Sequence, residues 1–90
     1  MDKAKLNEWA ARYMGEDDDL IPDAVDVEWY TKSPGAAFVL LHKCAAEGME
    51  VEIEMEDGGI EVKCGEAVET GKMDELALLM VRACYRCHNG

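Results

Sequence analysis

Basic residues are scarce in this 90-residue chain: 9 Lys and Arg stand against 20 Asp and Glu, a formal charge of −11. A chain this acidic is repelled by phosphate, so direct DNA or RNA binding through a basic footprint is excluded. No apolar run approaches the roughly 18 residues of a spanning helix, so no membrane partner is expected. No signal peptide is read at the start, and an intracellular protein is expected. Internal repeats and low-complexity tracts are also absent. The acid-rich stretches lack the glycine and terminal glutamate of an EF-hand loop. No histidine, serine or arginine lies near them in sequence to build an acid–base catalyst, so an enzyme is not expected. What remains is 49% apolar and 32% charged, enough for one packed core and not two. A single domain over residues 1–90 follows.

The elements show as changes of hydrophobic period. Leu6, Trp9, Ala10 and Tyr13 fall on one face of a helix that Asp2 can cap and Gly15 can end. Residues 16–28 hold seven acids and no base, with Pro22 as an interruption. Val25, Val27 and Trp29 alternate with Asp26 and Glu28, which reads as a short half-exposed strand or an extended loop near 25–30. A second helix follows Thr31 and Ser33 as caps, with Pro34 in the first turn and Gly48 at the end. Its apolar face is read as Ala37, Phe38, Leu40, Leu41, Cys44 and Ala45. Val51, Ile53 and Met55 alternate with glutamates, then Asp57-Gly58-Gly59 turns the chain into Ile60, Val62 and Cys64. That is a β-hairpin with one buried face. A loop through Gly65 and Gly71 leads to a last helix over about 73–87, on which Leu76, Leu79, Met80, Ala83 and Cys87 form a stripe widened by Leu78 and Val81. A face that broad calls for cover on two sides or for a homodimer through this helix. The order helix, helix, hairpin, helix predicts an α+β fold in which helices cover a small antiparallel sheet.

The segment Tyr30-Thr31-Lys32-Ser33-Pro34-Gly35-Ala36-Ala37-Phe38 resembles the tyrosine-to-aromatic stretch that opens the central helix of the phage ABA sandwich domain. Lys43, Gly48 and Val51-Glu52-Ile53 continue the likeness, and Gly65-Glu66-Ala67 resembles that family's turn before its final helix. Leu6-Asn7-Glu8 and Met14-Gly15 are similar to its first helix and its ending. The acid run at 16–19, Pro34 and the Cys-rich C-terminus depart from the pattern. The resemblance implies a small protein of tailed phages or prophages acting in the host bacterial cytoplasm, and it implies no shared catalytic residues.

Two groups of residues invite chemistry. Cys84-Tyr85-Arg86-Cys87-His88 spells a haem-attachment string, but that attachment takes place outside the cytoplasm. Cys84, Cys87 and His88 are zinc-type donors, with Cys44, Cys64 or His42 able to supply a fourth. Cys44 and Cys64 sit on apolar faces and are read as small core residues, the terminal pair as reduced thiols, and no cofactor is expected. The second group is acidic. Residues 47–69 hold nine acids and one lysine, and Glu50, Glu52, Glu54 and Glu56 share one strand face. Along a strand they repeat every ~6.7 Å, close to the ~6.8 Å between alternate phosphates of one DNA strand. With Asp17, Asp18 and Asp19 they are the candidate contacts to a host defence protein that has a basic nucleic-acid-binding surface, as an anti-CRISPR would make. Two alternatives stand beside this reading. One is an oligomeric sponge that holds a signalling nucleotide through Lys32, Lys43, Arg82 or Arg86; the other is a zinc-stabilised adaptor.

Overall fold

The computed structural model describes residues 2–89. Helix α1 (Lys3–Tyr13) starts where the Asp2 carboxylate accepts the Lys5 N–H at 2.9 Å. It ends at Gly15, whose φ of +79° lets the Glu16 N–H reach back to the Ala11 carbonyl. Helix α4 (Pro34–Ala46) repeats the logic. Ser33 Oγ accepts the Ala36 N–H at 3.2 Å, Pro34 occupies the first turn, and Gly48 at φ +97° lets the Met49 N–H bond to the Cys44 carbonyl.

Between them the chain is helical, which corrects the strand or loop expected near 25–30. It forms α2 (Ile21–Asp26) and α3 (Trp29–Lys32), and Val27 and Trp29 are exposed. Two-residue alternation needs a neighbouring strand to fix it, and among the described residues no strand pairs with this segment. The segment is held instead by burial of Ile21, Ala24 and Tyr30, and by the Tyr30 hydroxyl donating to Glu16 at 2.8 Å. Glu28, between the two short helices, has a φ of +51°. Its carboxylate lies 2.9 Å from Lys32 Nζ, and that hydrogen bond lowers its pKa. The ion pair is exposed and contributes little, whereas left-handed backbone is strained for any residue but glycine. Glu28→Gly is therefore expected to raise Tm by about 2–5 °C, and Glu28→Val to lower it, read by thermal unfolding.

The sheet has three antiparallel strands in the order β1 (Val51–Glu56), β2 (Gly59–Cys64), β3 (Ala67–Gly71). Glu56 faces Gly59 across the first turn, where Gly58 takes a φ of +79°. The third strand replaces the loop expected from Gly65 to Gly71. Gly65, at φ +58°, and Glu66 form a second tight turn that sets Cys64 opposite Ala67 and Val62 opposite Glu69.

A short 3₁₀ turn (Met73–Glu75) leads into α5 (Leu76–Asn89). This helix lies on β2 and β3 with one side and against α1, α3 and α4 with the other. Ala77, Leu78, Leu79, Met80, Val81, Ala83 and Cys84 are all buried as a result. The breadth of the apolar face is thus accounted for within one chain, and it does not call for the homodimer. Helix α4 buries Ala37, Leu40, Leu41 and Cys44, whereas Phe38 is 57% exposed, a correction to its reading as a face residue. Ala37, Leu40, Leu41 and Cys44 make one helical stripe, and Phe38 is turned about 100° from Ala37. No helix among the described residues is long and apolar enough to cross a membrane.

Candidate functional sites

One face of the sheet is covered and the other is open. Pairing of Val51 with Cys64, Ile53 with Val62 and Met55 with Ile60 sends these residues to the helical side. Glu52, Glu54 and Glu56 therefore project to the open side, and all three are exposed. Glu50 is exposed just before β1, and its carbonyl accepts the Gly65 N–H at 2.7 Å. Across the sheet, Glu54 faces Glu61 and Glu52 faces Lys63, whose Nζ lies 3.7 Å from Glu61. None of the ion pairs among the described residues takes a glutamate of β1. Among the described residues, the open face is a carboxylate surface whose strands carry a single cation, Lys63.

The other candidate acids lie elsewhere. Asp17, Asp18 and Asp19 occupy the turn joining α1 to α2, part of the helical layer, and Asp18 lies 3.7 Å from Arg12. They do not extend the sheet's acidic surface. Three of the four cations named for a nucleotide site are already engaged. Lys32 pairs with Glu28, Arg86 pairs with Glu69 and donates to the Val68 carbonyl, and Lys43 lies 4.6 Å above the Tyr13 ring.

The cysteines converge. Cys44 ends the buried stripe of α4, Cys64 is the last inward residue of β2, and Cys84 faces the core from α5. Their three Sγ atoms all lie within 4.8 Å of one another, and all three residues are buried. Cys87, one turn along α5, is half-buried with its Sγ 3.3 Å from Met49 Sδ. It fits because Gly65 has no side chain: a Cβ there would stand 2.7 Å from the Cys87 sulfur. His88 lies four residues beyond Cys84, on the same side of the helix, and its Nε2 is 3.6 Å from Cys44 Sγ. Its ring is held against Tyr13 and Trp9, with centroids 4.5 and 5.7 Å away.

This arrangement redistributes acidity among the thiols. The Cys84 thiol, then His88 and the Tyr13 hydroxyl, stabilise a Cys44 thiolate and bring its pKa to about 5 against the cost of burial. Cys84 moves upward because it keeps its proton beside Cys44, and burial adds to this. Burial, then the neighbouring Cys87, pushes Cys64 up. Tyr13 is raised by burial and by donating to Glu47.

Within the linear zinc string, Cys84 turns toward Cys44 and Cys64, His88 meets Cys44, Cys87 packs on Met49 beside Cys64, and His42 is exposed on α4. The reading of Cys44 and Cys64 as core residues agrees with their burial, but their approach to Cys84 was not visible in spacing. Asn7 was also missed as a key residue. It is fully buried and makes four hydrogen bonds. No protein-family model, curated protein or solved structure matches this chain.

Proposed function

We propose that this domain is a non-enzymatic inhibitor that docks the open face of its sheet on a basic, nucleic-acid-binding surface of a partner protein. The resemblance to the phage ABA sandwich domain suggests a host defence machine as the partner, in the manner of an anti-CRISPR. The observation that carries the reading is the column of Glu52, Glu54 and Glu56, exposed on a sheet face that no helix covers and free of the ion pairs among the described residues. Glu61 widens the column to a second strand. Carboxylates on a strand are spaced by the backbone ladder, so their spacing costs no ordering of the partner-facing backbone on binding. Their summed field steers a polycationic groove toward the sheet. Asp17, Asp18 and Asp19 contribute to that field at longer range.

The test uses purified defence effectors that bind DNA through basic channels. Duplex DNA is expected to compete with the protein for the effector. Reversal of Glu50, Glu52, Glu54 and Glu56 to lysine is expected to slow association at least tenfold at low salt and to abolish inhibition. Equal inhibition by the reversed variant, with its fold verified by circular dichroism, overturns the mimicry.

A further inference from the structure

We propose that Cys44, Cys64, Cys84 and His88 form a structural binding site for a thiophilic divalent cation of the zinc type. The site is independent of the acidic sheet face and lies on the opposite, covered side of the sheet.

Three observations carry it. First, the donors come from three elements that are distant in sequence, α4, β2 and α5, yet their sulfurs meet within 4.8 Å in the core. Second, the three sulfurs stand near the spacing of a filled site, and His88, outside that mutual 4.8 Å set, meets it at Cys44. Tetrahedral zinc with Zn–S near 2.3 Å and Zn–N near 2.0–2.1 Å has S···S edges of about 3.8 Å and S···N edges of about 3.6 Å. The Cys44 Sγ to His88 Nε2 separation is 3.6 Å, and the three sulfurs need to close by no more than about an ångström. Third, the surroundings suit a metal. Cys84 and His88 sit four apart on one helix, and Tyr13 and Trp9 fix the imidazole plane. Binding of the cation releases the protons of the coordinating thiols to solvent.

Simple packing explains the burial of three small side chains, and a hydrogen bond explains His88 facing Cys44; a bound cation accounts for all four donors converging on one point. It would fasten the last turn of α5 to α4 and to the end of β2, joining the helical layer to the sheet. For a domain of this size, whose core is small, such a fastening is a large part of what keeps it folded.

The test uses the full chain, purified untagged and reduced from zinc-containing medium. Elemental analysis is expected to find one zinc per chain, and cobalt(II) exchange to give thiolate-to-metal charge transfer with the visible bands of a tetrahedral site. Chelation of the zinc is expected to lower Tm by about 10 °C or more. His88→Gln is expected to weaken zinc binding at least about a hundredfold with the fold retained, and Cys87→Ser to leave it unchanged. Cys44→Ser, Cys64→Ser and Cys84→Ser are expected to lose the metal. Should those variants not fold, the cobalt spectrum of the unaltered chain decides by itself. A metal-free, folded chain with four titratable thiols and no cobalt band overturns the site, as does a disulfide between any two of the three buried cysteines. Loss of metal in Cys87→Ser with binding intact in His88→Gln overturns the place given to His88.

Discussion

Replacing Asn7 by leucine is expected to destabilise the domain by about 3–5 kcal/mol, read from urea unfolding, with no change in overall size. Its Oδ1 accepts the Tyr30 and Thr31 N–H groups at 2.8 and 3.2 Å, and its Nδ2 donates to the Lys3 carbonyl and to Thr31 Oγ1 at 2.8 and 2.9 Å. Those two N–H groups open α3, whose preceding residue Glu28 makes no side-chain cap. A side chain 23 residues away therefore does the work of an N-cap. Leucine fills a similar volume but strands two buried donors and a hydroxyl, each at a cost of about 1–3 kcal/mol before the structure relaxes. The comparison is Thr31→Val, which removes one of the four bonds and is expected to cost about 1 kcal/mol. Domains of this size have only about 5–13 kcal/mol in total, so the leucine variant loses a large fraction of its stability. An Asn7→Leu cost below that of Thr31→Val would show that α3 does not depend on this side chain.

The second large effect is expected at Leu79. It is 2% exposed in the first turn of α5, a helix packed between the sheet and the other helices. Leu79→Ala removes the side chain whose methyl groups close on Gly71 of β3. The loss is expected to be about 3–5 kcal/mol, because a side chain this fully buried leaves a cavity that the surroundings fill only in part. The same truncation of Phe38, a larger side chain that is mostly in water, is expected to cost no more than about 0.5 kcal/mol. Equal costs at the two positions would mean that the layer order described above is wrong. Gly71 provides a local check on the same packing. A Cβ added there would stand 3.1 Å from both Leu79 methyl groups, so Gly71→Ala crowds the contact that Leu79→Ala empties.

Much of the architecture was legible in the chain because the signals are local. Alternation of Val51, Ile53 and Met55 with glutamates, and the Asp57-Gly58 turn, specify a hairpin and the face that its acids occupy. Helix ends were equally readable, since Asp2, Gly15, Ser33-Pro34 and Gly48 act on backbone groups within five residues. The third strand was hidden because Glu66, Glu69 and Gly71 dilute its alternation. Its one clear sign was Gly65 ahead of the β-branched Val68 and Thr70. In the 16–28 segment the alternation of Val25, Val27 and Trp29 misled, because burial of Ile21, Ala24 and Tyr30 outweighs that pattern.

By itself, then, the sequence determined the hairpin, the three long helices with the caps of the first two, and the acidic face that the hairpin carries; the last helix is led in by Lys72 and Glu75 and not by Thr70 or Asp74. Each depends on periodicity or hydrogen bonding over a few residues, which the order of side chains fully specifies. Only the tertiary structure decided that Asn7 caps α3, that α5 is enclosed within one chain, and that Cys44, Cys64 and Cys84 meet beside His88. Those facts depend on which faces the layers present to each other. That choice is made by burial summed over the whole chain, and it leaves no mark in the spacing of any single segment.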